Sequence, residues 1–542
     1  MTAGYEHLEY RRLRAPQEDG TALFDPTWDR VGAIVDRNAQ RHAQALYDVH
    51  GKCLRALADQ ARQELVDAAQ RWTATYRDVS FVAHRDPTRI FLAGHQPQMF
   101  HPGVWLKNFA LDRLAADHNA VGVNLIVDSD TIRGNTLRVP GGSPETPNVA
   151  NIAFDASGPV VPFEERQILD RQIFEQFAGQ AGRQIAPLIR TPVLQQYWPL
   201  VQSRAAESDR LGLCLAQARH QLEGQWNLKT LEIPQSAICD SASFRWFLCH
   251  LLDELPRFRE IHNAILGQYR RSHRIRSAVH PASDLAQNGD WIEAPFWIWS
   301  VDSPRRRRLF VRRRGPSMME LTNRDGLTVT LPLGSGDLSG AVDGLHDLAE
   351  QGVRIRSRAL ITTMWARIAL GDLFIHGIGG AKYDQVTSAL IAGFFGLQPS
   401  QFLTVSATLH LPIQHPASPS LEAPGFYQQQ LRRLEYQPDR FLDLRPDSAA
   451  AEARQLAEEK WLWINNTITP ENYRERFFSI RRLNRRLQAW VEPQRQLVLQ
   501  DLKCAEQAAT ATAIHTWREY GFCLFPGETL RDFFCRLLPK RA

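Results

Sequence analysis

The chain has 542 residues, 44% hydrophobic and 23% charged, with a formal net charge of +5. That composition belongs to ordinary globular proteins, and the length calls for two or three domains rather than one core. The mild positive charge permits an anionic ligand without requiring nucleic acid, and no run of about 18 apolar residues is present to span a membrane. The N-terminus carries no apolar signal region, and the seven scattered cysteines form no Cys-x-x-Cys pair. A reducing cytoplasm is therefore the expected compartment, with neither a thiolate zinc site nor a membrane partner.

Apolar spacing from about Asp29 to Tyr76 predicts helix, with Val31, Ile34, Val35, Leu46, Leu54, Leu57, Leu65 and Ala69 as core positions. Asp86-Pro87 breaks it. Ile90-Phe-Leu-Ala93 then reads as a buried strand, and His101-Pro102-Gly103 as a helix start, because proline suits a first turn. Leu106, Phe109, Ala110 and Leu114 give that helix a wide apolar face. Val121 to Val127 is a second strand, ending at Asp128-Ser-Asp130. Strand, helix and strand at this spacing make a βαβ unit with parallel strands.

The pattern returns late in the chain. Thr362 to Leu370 reads as helix, Leu373 to His376 as strand, Gly377 to Gly380 as a turn, Tyr383 to Phe395 as an apolar helix and Phe402 to Val405 as a strand. The two halves are expected to pair in one sheet. Between them lie turn-rich and helical stretches and a predicted hairpin, Phe296 to Trp299 with Arg308 to Arg312. Beyond about Gln428 the chain is helix-rich and heavily charged. The predicted organisation is a helical region at 1–80, a first half of an α/β core at 81–138, an inserted connecting region at 139–350, a second half at 351–415, and a helix-rich region at 416–542.

The loops after the strands carry the candidate chemistry, because ligands of open α/β sheets bind beyond the carboxyl ends of the strands. Gly94, Gln96 and His101 could hold a phosphate or carboxylate with the free N–H groups of the following helix, or could simply cap that helix. His95 titrates in a range useful to a general acid or base. Asp128 and Asp130 could bind an amine or a magnesium ion, or could form a turn. Gly377, Gly379 and Gly380 allow close backbone approach, and Lys382, Tyr383 and Asp384 follow; the third glycine of a dinucleotide fingerprint is missing, and this is no phosphate-binding P-loop. The arginines at 305–308 and 312–314 alternate in a hairpin, which predicts a solvated face with Phe310 turned inward and makes nucleic acid the lesser reading.

Several of these segments, in the same order, resemble the cysteine-adding enzymes of bacillithiol biosynthesis (BshC). They are Gly94-His-Gln-Pro-Gln-Met-Phe100 with Lys107, Val123-Asn-Leu-Ile-Val-Asp-Ser-Asp130, Arg358 to Asp384 through His376-Gly-Ile-Gly-Gly380, then Phe395-Gly396, Ser406-Ala-Thr408 and Tyr520-Gly521. His95 stands where that family has a glutamine. His101-Pro-Gly103 replaces its second loop element, Asp128 and Asp130 stand for a longer acidic cluster, and the glycine turn lacks the family's glutamate. The resemblance implies a Rossmann-like parallel sheet, connecting insertions, a helical coiled-coil element and a homodimer through it. It also implies a carbon–nitrogen ligase joining an amino acid, such as cysteine, to an amine on a small anionic metabolite such as glucosaminyl malate. An activated carboxylate is needed for that reaction, and ATP or another nucleotide with magnesium is the expected activator. The competing expectations are a nucleotide- or acidic-metabolite-binding protein without ligation chemistry, and an RNA-associated protein using Arg305 to Arg308.

Overall fold

Two stretches of β-branched and aromatic residues too apolar for any surface set the architecture. In the computed structural model, which describes residues 8, 10, 13–334, 336–414, 422–442 and 451–539, both are inner strands of one six-stranded sheet. Met1 to His7, where the sequence shows no apolar signal region, lie outside the described residues. The sheet consists of β1 (Thr21–Asp25), β2 (Asp86–His95), β3 (Ala120–Ile126), β4 (Leu231–Pro234), β5 (Leu373–His376) and β6 (Leu403–Thr408), in the spatial order β1-β6-β5-β2-β3-β4. Only β1 runs antiparallel, against β6; every other neighbouring pair is parallel. All seven residues of β3 are buried, as expected for a parallel strand covered on both faces.

The helices that cover this sheet include α1 (Leu54–Ala74), α2 (Pro102–Asp117), α3 (Leu211–Gln225) and α4 (Ile378–Phe395). Extended backbone at His101 and Pro102 in the first turn start α2, which then buries Trp105, Leu106, Phe109, Ala110, Leu111 and Leu114. A second, antiparallel sheet is built from Trp291–Ser300, Ser303–Arg313, Met319–Thr322, Thr328–Leu331 and Val353–Ser357. The chain divides into two compact units, one of residues 1–139, 151–412 and 518–542, the other of 140–150 and 413–517. The second unit contains α5 (Ala451–Asn465) and the 43-residue α6 (Tyr473–His515), which share a small core of Ala453, Leu456, Leu483 and Leu487.

The two βαβ-like halves do pair, through Leu373 with Phe91 and Ile375 with Ala93. Several boundaries differ from the sequence reading. β4 comes from inside the region taken as an insertion, and β1 from the region taken as helical; four residues carry little periodicity to betray a strand. Val353–Ser357 joins the second sheet instead of the parallel one. Residues 518–539 return to the first unit. Leu46, expected in the core, is exposed, because a short β-ribbon (Asp48–Val49 with Lys52–Cys53) interrupts the predicted helix. In the arginine hairpin Leu309 and Val311 are the buried residues, while Phe310 lies on the opposite face beneath Arg324.

Gly103 fixes how tightly α2 approaches β6. A Cβ at this position would lie 2.1 Å from the Ala407 carbonyl oxygen, and backbone cannot yield as a side-chain end can. At Gly379 a Cβ would meet nothing within 4 Å. Gly103→Ala is therefore expected to lower stability by about 1–3 kcal/mol, and Gly379→Ala to leave it unchanged or slightly raised. Denaturant midpoints of the two variants check this, and equal stability would refute the tight approach.

Candidate anion site at the strand switch point

The chain leaves β2 towards β3 and leaves β5 towards β6, in opposite directions along the sheet, although β2 and β5 are neighbours. This reversal opens a crevice beyond the carboxyl ends of the strands, where open α/β sheets bind ligands. α2 and α4, which follow those two strands, both begin there. Each presents N–H groups that no helical carbonyl can satisfy.

A cavity of about 470 Å³ lies between these starts. It is lined by His101 and Gly103 from α2, by Gly377, Gly379 and Lys382 from α4, by Ser406 from β6, and by Arg14, Gln17 and Arg518. Three cations line it, and among the described residues no carboxylate does. Arg518 donates from Nη2 to the Ala407 carbonyl (3.0 Å), and its buried Nε has no hydrogen-bond partner among the described residues. The Nδ1 of His101 likewise has none. Burial, then the charges of Arg518 and Lys107, push the His101 imidazole down to about 4, so it is neutral at pH 7.

Four of the residues singled out in the sequence thus meet: His101, Gly377, Gly379 and Lys382. The others do not line this cavity. His95 is buried beneath Phe100, and burial and then the charges of Arg219 and Lys107 hold it well below the usual range. Its neutral ring donates from Nε2 to Asn108 Oδ1 (3.1 Å), so it braces the loop instead of reaching a substrate. Gly94 packs on Leu125, and its carbonyl accepts from Lys107 Nζ (2.6 Å). Gln96 donates to Asp130 (3.0 Å), which also pairs with Arg306 (3.1 Å).

Asp128, only 2% exposed, accepts from the backbone and hydroxyl of Ser236 and is pushed up by burial. It faces a different cavity, of about 640 Å³, with Glu164 and Arg356. Asp128 and Asp130 therefore do not act as a pair. Gly380 packs against His376, and Tyr383 is half-buried with its phenol pushed up by burial. Asp384 is buried against Arg367 (2.6 Å) and His376 (3.0 Å); although burial opposes it, the Arg367 charge and then the His376 ring that hydrogen-bonds to it hold its carboxyl well below the usual range. Its place is in the support of α4.

Arg14 and Arg518 escaped the sequence reading, since single residues far apart in the chain carry no local motif, and Ser406 entered it only through the family resemblance. Most of the hairpin arginines pair with carboxylates: Arg306 with Asp130, Arg307 with Asp325, Arg308 with Glu293, Arg312 and Arg314 with Glu320, and Arg313 with Asp253. Among the described residues no group of three histidine, cysteine or acidic side chains could hold a metal ion, and no helix is long and apolar enough to cross a membrane. No family model and no curated protein matches the chain.

Lys107 gives the region a pH signature. It is 4% exposed, and burial, then Arg219, bring its ammonium down from 10.5 to about 7. Between those values the unfolded chain binds the extra proton, so stability rises with pH across that window. Wild type is expected to gain stability over Lys107→Met from pH 7 upward, by denaturant titration at several pH values. Parallel curves for the two proteins would show that the amine is not held neutral.

Proposed function

We propose that the protein binds a small polyanionic metabolite, carrying carboxylate or phosphate groups, in the crevice between β2 and β5. The carrying observation is the cavity of about 470 Å³ in which Arg14, Lys382 and Arg518 converge with two helix starts. Its size lies within the usual range for metabolite pockets, and cations with free N–H groups are what anionic oxygens require.

On this reading, and on the resemblance to the cysteine-adding enzymes of bacillithiol biosynthesis, the reaction is carbon–nitrogen ligation. An amino acid whose carboxylate is already activated, as an acyl phosphate or adenylate, is joined to an amine of the bound anion, and the phosphate or nucleotide leaves as the C–N bond forms. Lys382 and Arg518 hold the anion, and the neutral His101 accepts the proton that the attacking amine sheds. That role passes to His101 from His95, which spends its N–H on Asn108. The lining suits phosphate oxygens but offers magnesium no carboxylate ligand, so no step is assigned to a metal-bound nucleotide.

A thermal-shift series with malate, sugar acids, glucosaminyl malate, inorganic phosphate and nucleotides tests the binding reading, since a ligand of the native state raises its melting temperature. Lys382→Ala and Arg518→Ala are expected to weaken binding about tenfold or more each, the scale of a lost charge-assisted hydrogen bond. His101→Asn is expected to keep the thermal shift and to lose amide formation by about a hundredfold or more. Unchanged binding in folded Lys382→Ala and Arg518→Ala would remove the anion site. Full ligation by His101→Asn would leave the site and remove the base.

A further inference from the structure

The second unit carries a feature that its own fold does not use. α5 and α6 form a helical hairpin whose buried seam is Ala453, Leu456, Leu483 and Leu487, with Trp463 and Trp490 packed against it. The turn between the helices is closed by polar bonds. Arg476 donates to the carbonyls of Trp463 (2.8 Å) and Ile464 (2.9 Å), and the Thr469 N–H to Asn472 Oδ1 (2.8 Å). Around this ordered tip Trp461, Leu462, Ile464, Ile468, Tyr473, Phe477 and Phe478 are between 43% and 64% exposed. Seven of the seventeen exposed large hydrophobic side chains among the described residues thus fall within one short hairpin end. Such a concentration marks an interaction surface.

At and just beyond the tip, α6 exposes Arg474, Arg481, Arg482, Arg485 and Arg486, of which Arg486 pairs with Glu452 (2.8 Å), and these outnumber the exposed Glu471 and Glu475. From Phe477 and Phe478 to Arg481 and Arg482 is one helical turn, about 6 Å along the axis. An apolar end followed at that depth by a basic collar matches the boundary between acyl chains and headgroups, where apolar faces sink about 5–10 Å and aromatic rings favour the interface. We propose that this tip docks on an anionic lipid surface, with the aromatic and aliphatic side chains inserted and the arginines on the headgroups.

Charge complementarity favours this occupant over two others. A second copy meeting tip to tip would bring two arginine collars together. Single-stranded nucleic acid would use the aromatic rings but not Leu462, Ile464 and Ile468, which have no face to stack on. The expectation of no membrane partner rested on the lack of a spanning run, and a surface-docking tip needs none. This inference is independent of the anion site.

The test is co-sedimentation of the full-length protein with vesicles of phosphatidylcholine alone or with added phosphatidylglycerol. Wild type is expected to sediment only with the anionic vesicles, and less so as salt rises. The double variant Trp461→Ser with Phe478→Ser, checked for its helical circular dichroism, is expected to bind about tenfold or more weakly. Should it fail to fold, Arg481→Gln with Arg482→Gln and Arg485→Gln takes its place and is expected to lose both binding and salt sensitivity. Wild type remaining in the supernatant, or binding neutral and anionic vesicles alike, overturns the proposal. So does a dimer seen by light scattering that the double variant dissociates, or preferential binding of single-stranded RNA over vesicles.

Discussion

β2 and β5 lie side by side as parallel strands, yet the chain departs from them in opposite directions. Everything at the proposed site depends on that arrangement. Because the connections diverge, the helices that follow the two strands start on either side of the gap between their ends. The backbone N–H groups of α2 and α4 cannot be satisfied inside their own helices, so both helix starts favour negative charge in the space between them. The lining cations then add to a field that the backbone already provides.

A buried polar network braces α2 and the loop before it. Glu223 accepts from Trp105 (2.6 Å), Asn108 (2.7 Å) and Arg219 (2.5 Å), Glu232 accepts from Asn124 (2.5 Å), and His95 leans on Asn108. Removing one member of such a network leaves a buried charge without its partner, commonly at a cost of about 3–5 kcal/mol. The loop from His95 to His101 is therefore anchored from below, and His101 reaches the cavity at its far end.

The parallel strands and α2 were legible in the sequence because burial on both faces leaves continuous apolar runs, and because Pro102 marks a helix start. The pairing of the two halves followed from their repeated strand–helix–strand order. What escaped was short or distant: β4 with four residues, β1 at an antiparallel edge, and Arg14 and Arg518 at opposite ends of the chain. Position in a loop singled out His101, Gly377, Gly379 and Lys382, which the fold brings to one cavity. It could not tell them from His95, Asp128 and Asp384, whose side chains turn to Asn108, Ser236 and Arg367. Sequence position gives the address of a side chain, whereas the partner that captures it is a tertiary fact.

The origin of the two flanking arginines bears on when the site comes into being. Arg14 precedes β1, the edge strand that pairs with β6, and Arg518 follows the whole of the second unit. The two cations therefore meet at the crevice only through contacts between segments far apart in sequence. The electrostatics of the crevice are thus tied to long-range closure of the chain, a slower event than the formation of any single helix.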